Sequence, residues 1–188
     1  RPGVSVYKWL ESRHQVQITN RWIIDKTNDL QYAFFNGIGF NAWENIWGIW
    51  NQIPDRYAET ISRISSIYRQ FPTVWSSSAW KPYIPTIQSG VFASIFPEGD
   101  KQIYTFINRD SVDKEGNQLV LPYQKGIVYY DLWNGKMLIP KKEKKQIYLQ
   151  FPMERLGYGA ILAIKIGSIN GKLKDFIHQM DVIAKRPL

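Results

Sequence analysis

Between Trp43 and Asn51 the chain reads Trp-Glu-Asn-Ile-Trp-Gly-Ile-Trp-Asn, three tryptophans with one carboxylate and two amides in nine residues. Indole faces stack on flat apolar surfaces, while carboxylates and amides hydrogen-bond to hydroxyls. A sugar ring offers an apolar C–H face and a rim of hydroxyls, so Trp43, Glu44, Asn45 and Trp47 read as part of a carbohydrate cleft. The competing explanation is a tryptophan-rich core segment, because large aromatics bury well. A second carboxylate, Glu11, ends the run Val4–Glu11, whose β-branched and aromatic residues predict a strand. Ile38–Trp43 predicts another strand, and Glu44 follows it. Two carboxylates at the ends of neighbouring strands match what glycoside hydrolysis needs: one protonates the leaving oxygen, and the other attacks or activates water. Structural carboxylates paired with Arg13 or Arg21 are the alternative. Arg13 has the planar fork to clamp a hydroxyl or carboxylate, and His14 can donate to a hydroxyl or exchange a proton. A loop-anchoring ion pair and an exposed imidazole would account for them equally well.

Other chemistries find less support. The chain has no cysteine, which excludes disulfides and thiolate nucleophiles, and only two histidines, His14 and His178, far apart. No metal or other cofactor is expected. No Walker-type loop is present, and Gly37-Ile38-Gly39 precedes a strand pattern, the wrong setting for a dinucleotide fingerprint. Ser12 and His14 stand beside no nucleophile elbow. No apolar run reaches the roughly 18 residues of a membrane span. The net charge of +8 is uneven: residues 1–135 carry 13 Lys+Arg against 12 Asp+Glu, and residues 136–188 carry 11 against 4. A basic end can attract acidic polysaccharide, anionic lipid or nucleic acid, or simply be a solvated face. The Lys141-Lys142-Glu143-Lys144-Lys145 cluster suits an exposed loop, and no aromatic platform interleaves with it, which argues against nucleic acid. Carbohydrate, including anionic carbohydrate, is the expected partner.

The elements that must position these residues change character along the chain. Residues 1–75 read as strand, helix, strand, helix. A short helix is expected over Asp29–Phe35, capped by Asn28 and stopped at Asn36-Gly37. After Pro54-Asp55, Tyr57, Ile61, Ile64, Tyr68 and Phe71 fall at steps of four, three, four and three, one face of an amphipathic helix that ends before Pro72. Residues 76–88, rich in Pro and Ser, read as a linker. Residues 89–188 read as short strands at 91–96, 102–108, 117–121, 126–132, 136–139, 146–151 and 159–166. Turn signals separate them, Asn134-Gly135 serving as a two-residue hairpin turn, and a helix over 172–184 closes the chain. In the run Tyr129–Gly135, alternation sends Tyr129, Asp131 and Trp133 to one face and Tyr130 and Leu132 to the other, most simply for core packing. The fold class expected is α+β: the last βα units of a (β/α)8-type barrel, then an antiparallel β-sandwich. An ordinary α+β layer is the alternative. Because the chain begins at Arg1, a processed or excised piece from an extracytoplasmic setting is expected.

Four stretches carry a resemblance: Lys8–His14, Phe34–Gly39, Trp43–Asn51 and Tyr129–Gly135. Together they resemble a family of bacterial glycoside-hydrolase-like proteins, from about Tyr7 to Ile164. In that family a (β/α)8 barrel is followed by an all-β sandwich, and some relatives carry a further domain like the formylglycine-generating enzymes. The resemblance implies Glu11 and Glu44 as the acid/base pair, with Arg13, His14, Asn45, Trp43 and Trp47 lining the sugar site. It also implies that about the first six barrel strands belong to a portion of the protein outside this chain. The functions left in competition are the C-terminal portion of a glycoside hydrolase acting on glycans or polysaccharide, and a non-catalytic carbohydrate-binding or scaffolding module.

Overall fold

A computed structural model describes residues 1–20, 25–42 and 53–186. The chain opens with a five-residue helix, α1 (Val6–Leu10), where β-forming residues predicted a strand. The first strand, β1 (Gln17–Asn20), comes later and is followed by α2 (Thr27–Asn36) and β2 (Gly39–Ala42). β1 and β2 pair in parallel, with Gln17 opposite Gly39 and Asn20 opposite Ala42. Gly37 ends α2 in the left-handed conformation, φ 63°, donating its N–H to Phe34. Helix α3 (Asp55–Gln70) runs as the periodicity requires. Asp55 is its first residue, placing a negative charge in the first turn.

Beyond a single 3-10 turn at Val74–Ser76, the segment expected as linker forms an edge strand, β3 (Lys81–Ile84). It begins a six-stranded antiparallel sheet with β4 (Val91–Glu98), β5 (Lys101–Asn108), β11 (Tyr158–Lys165), β7 (Ile127–Asp131) and β8 (Lys136–Leu138), in the order β3-β4-β5-β11-β7-β8. A smaller sheet has the order β6 (Asn117–Pro122), β10 (Gln146–Gln150), β9 (Lys141–Glu143). β9 is the lysine cluster, read from sequence as a loop. Its three residues are exposed, and charge on an edge strand discourages pairing with another chain.

The large sheet serves two cores, and alternation assigns them. Tyr104, Phe106, Ile161 and Ala163 face the small sheet and pack with Leu119, Ile147, Leu149 and Phe151. Phe96, Ile103, Ile107, Leu162 and Ile164 face the helices and pack with Phe34, Phe35, Ile67 and the C-terminal helix α4 (Gly171–Ala184). Fully burying a Phe or Ile side chain contributes about 1.5–3 kcal/mol, so both faces favour this order of layers. Arg63 ties α3 to the end of α4. Its guanidinium donates to the carbonyls of Ile183 and Arg186, pairs with Glu59 at 3.0 Å and lies over the Trp133 ring. A cation at the carboxyl end of a helix also complements its dipole.

The Tyr129–Gly135 stretch departs from simple alternation. Tyr129 faces the small sheet, but both Leu132 and Trp133 join the helix-side core. The strand ends at Asp131, which faces Lys136 across a four-residue turn, so Asn134-Gly135 is not a two-residue hairpin. Buried Asp131 builds that turn, accepting from the N–H groups of Trp133 and Asn134 and from the Asn134 side chain. Gly135 sits at φ 64° with α4 directly above it: a Cβ there would lie 2.0 Å from Asp181 N. Gly135→Ala combines a left-handed penalty with a backbone clash. It should destabilise the chain by about 2–4 kcal/mol in urea titration.

Burial raises the Asp131 carboxyl to about 6, against the pull of its hydrogen bonds. The native chain therefore holds a proton between about pH 4 and 6, where the unfolded chain has lost it. Stability falls as pH rises through that window, by on the order of 3 kcal/mol, and the contribution is constant above it. Asp131→Asn should abolish this component. The measurement is the difference between urea midpoints at pH 4 and pH 7.5, which should shrink in the variant relative to the parent.

Candidate functional site

In a parallel βα unit the helices return the chain, so each strand's carboxyl end and the loop after it lie on one side, and the preceding loops lie on the other. Here the amino-end side is well defined. Asn36, at the end of α2, accepts from Ser5 N at 2.8 Å and donates to the carbonyls of Gly3 and Tyr32. Ser5 caps α1 by accepting from Lys8 N at 3.2 Å. Lys8 is only 1% exposed; its ammonium donates to the carbonyls of Trp75, just beyond α3, and Ser12. Burial draws it down to about 8, so it remains mostly charged at neutral pH. Around this lysine the other four residues of α1, Val6, Tyr7, Trp9 and Leu10, are between 61% and 74% exposed, and Trp9 meets Trp80 edge-on at 5.9 Å.

Glu11, Arg13 and His14 lie in the turn that leaves α1 for β1. His14 Nδ1 is 3.0 Å from a Glu11 carboxylate oxygen, with the two side chains 75% and 65% exposed, and Arg13 is exposed as well. A carboxylate that orients an imidazole in this way leaves Nε2 open to solvent. The expectation that Glu11 ends a strand is therefore corrected: it ends a short helix and leads into the amino end of β1. Trp43, Glu44, Asn45 and Trp47 lie outside the described residues. In the chain they follow the carboxyl end of β2, the opposite end of the parallel pair from Glu11.

The carboxyl end carries a polar network that the sequence reading missed. Asn20, the last residue of β1, is buried. Its side chain donates to Asp29 in the first turn of α2 and accepts from Lys26 Nζ at 2.6 Å. Lys26 is buried too. Beside it, Tyr57 of α3 donates to Asp25 at 2.7 Å, and Thr27 N donates to the same carboxylate at 2.9 Å. These bonds, the one from Tyr57 foremost, hold Asp25 below its ordinary range; burial first, with Asp25 adding to it, raises Tyr57. A strand-end amide, a buried ammonium and two carboxylates form a preorganised polar floor of the kind that positions hydroxyl-rich ligands. Among the described residues no cluster could hold a metal ion.

No family model and no curated relative matches the chain. Solved structures do. An Anoxybacillus α-amylase, described as a new glycosyl hydrolase subclass, aligns over 80% of this chain and 38% of its own, with TM-score 0.51 and 8% identity. The cyclomaltodextrin glucanotransferase CldA, with a three-domain ABC distribution, aligns over 82% and 38%, with TM-score 0.52 and 13% identity. The likeness is one of fold. The chain spans about two-fifths of either protein's length.

The polar network makes its own prediction. Tyr57→Phe removes the strongest hydrogen bond to Asp25, so that carboxyl should move up toward its ordinary range. A carboxyl 13C NMR titration of parent and variant reads this directly, and an unchanged Asp25 midpoint would contradict the geometry.

Proposed function

We propose that this chain is the C-terminal portion of a glycoside-hydrolase-like protein acting on glycans or polysaccharide. In this reading residues 1–75 supply the last βα units of a (β/α)8-type barrel, and residues 89–188 an antiparallel β-sandwich behind it. The observation that carries the reading is the parallel β1–α2–β2–α3 unit fused to antiparallel sheets, in a chain that aligns with two carbohydrate-active enzymes. Two physical points support it. A parallel pair is stable only with both faces covered, and an exposed apolar patch such as that of α1 marks a surface built to be packed against. The occupant proposed is the remaining βα portion of the same protein. A formylglycine-generating-enzyme-like domain finds no support in the neighbours and is not part of the proposal.

Catalytic groups of such barrels sit at the carboxyl ends of strands. Chain direction therefore favours Glu44 for the chemistry, with Trp43, Asn45 and Trp47 against the sugar and Asn20, Lys26 and Asp29 as the polar floor beneath them. Glu11, Arg13 and His14 are assigned to the amino-end turn, outside the sugar site. The second carboxylate of the pair would then come from another strand end.

The decisive experiment uses the longer protein that contains this chain, assayed against a panel of aryl glycosides. Glu44→Gln should lower kcat by about 10³-fold, with thermal stability retained, while Glu11→Gln should change it less than about threefold. Unchanged turnover in Glu44→Gln, or no turnover of any glycoside by the parent, removes the hydrolase reading. In the second case saccharide binding that survives Glu44→Gln but is lost in Trp47→Ala would establish a non-catalytic carbohydrate module instead.

A further inference from the structure

At one end of the layer between the two sheets, on the face of the six-stranded sheet away from the helices, lies a cavity of about 220 Å³. Gln102, Tyr104, Gln124, Ile127, Tyr129 and Lys165 contribute to its walls. A water molecule occupies about 30 Å³ of liquid, so the space takes several waters or one six-membered ring. Its inner wall is built rather than incidental. Tyr104 is buried, and its hydroxyl donates to Gln102 Oε1 at 2.9 Å. Tyr129, on β7 with β11 between it and the Tyr104 strand, is 5% exposed and lines the same cavity. Ile127 and Leu121 add apolar surface between the amides.

The mouth is cationic. Lys165 is exposed at the rim, and Lys125 follows Gln124 in the same loop. Tyr123 N donates to Lys145 O at 2.8 Å, which brings the Lys144–Lys145 turn alongside. None of these four lysines has a carboxylate at ion-pair distance among the described residues. Asp100 also lines the cavity, where the Ser168 hydroxyl donates to it, and Glu143 is paired with Lys141 at 2.8 Å. The ammonium of Lys142 lies 3.5 Å from the Tyr123 ring centroid and covers that ring face, which removes the platform a nucleobase would need.

The geometry points to a second saccharide site: the inter-sheet cavity receives one ring of an acidic oligosaccharide through Tyr129, Gln102 and Gln124, and Lys125, Lys144, Lys145 and Lys165 meet its carboxylate or sulfate groups. Hydroxyls inside and charge outside suit a chain whose neighbouring units carry the negative charge. The choice of a saccharide as ligand rests on the proposed function above; the location does not, since this cavity and the Glu11 turn lie on opposite faces of the six-stranded sheet.

The test is calorimetric titration of the 188-residue chain at low salt with three probes: oligogalacturonate for carboxylate, a heparin-derived tetrasaccharide for sulfate, and maltotetraose as the neutral control. At least one acidic probe should bind about tenfold more tightly than the neutral one, and which of the two is stronger identifies the anion. Tyr129→Phe, which keeps the ring, should weaken acidic binding about tenfold. Lys165→Gln, at an exposed position, should cut the preference for acidic over neutral probe about threefold, with melting temperature unchanged. Acidic binding indifferent to Tyr129→Phe would reduce the feature to a nonspecific lysine patch and overturn the site, as would the absence of any acidic preference. Neither outcome touches the Glu44-dependent turnover by which the hydrolase reading stands or falls.

Discussion

Chain direction in the two parallel strands is the constraint from which the site follows. A parallel pair needs a crossover between its members, and α2 supplies it. Once Asn20 and Ala42 are fixed at one end, every connecting segment is allotted to a side. The ends of α2 and α3, the Lys8 ammonium and the Glu11–His14 turn go to one side; Asn20, Lys26, Asp25, Asp29 and the start of α3 go to the other. On the carboxyl side Asn20 and Lys26 are buried and bonded to each other, whereas the Glu11–His14 pair is open to water. An exposed pair of this kind contributes little to stability and excludes no solvent from any reaction.

The six-stranded sheet is what holds this unit rigid. Its helix-side face lacks the polar-out pattern of a solvated antiparallel sheet, because α2 and α3 cover it while the small sheet covers the other side. Ser94 and Thr105 face each other across β4 and β5, fully buried on the helix side, with no partner for either hydroxyl among the described residues. Small side chains there, with Ala160 next to Thr105, let α2 approach closely enough for Phe34 and Phe35 to be sealed at 0% exposure. The unpaired hydroxyls cost something on the order of 1 kcal/mol or more each, and the aromatic burial outweighs that. Gln31 then bridges the layers by donating to the carbonyl of Asn108 at 2.9 Å.

Much of this order was legible in the sequence where periodicity was long or the punctuation chemical. The Asp55–Gln70 helix, the run of antiparallel strands and the final helix follow from spacing and turn residues. The opening segment was not legible. Val4–Glu11 has the composition of a strand, but Ser5 caps a helical turn and tertiary contacts hold Lys8, so the apolar residues point outward and the lysine inward, the reverse of what hydropathy implies. The lysine cluster misled for a related reason. An edge strand needs no apolar face if its neighbour carries the core, so β9 shows charge without alternation.

The Asn20–Lys26–Asp29 network was missed because nothing in its spacing announces it. Its members come from a strand end, a loop and a helix's first turn, so neither a period of 2 nor of 3.6 relates them. The one usable signal was Asp29 itself, an acid at a helix start, which the macrodipole explains without further function. What distinguishes a site from a cap is convergence. Here a single amide, Asn20, both donates to Asp29 and accepts from Lys26, which fixes the orientation of its side chain at the head of a strand. The network therefore gathers at the carboxyl end of β1, and the tryptophan-rich segment follows β2 in the chain.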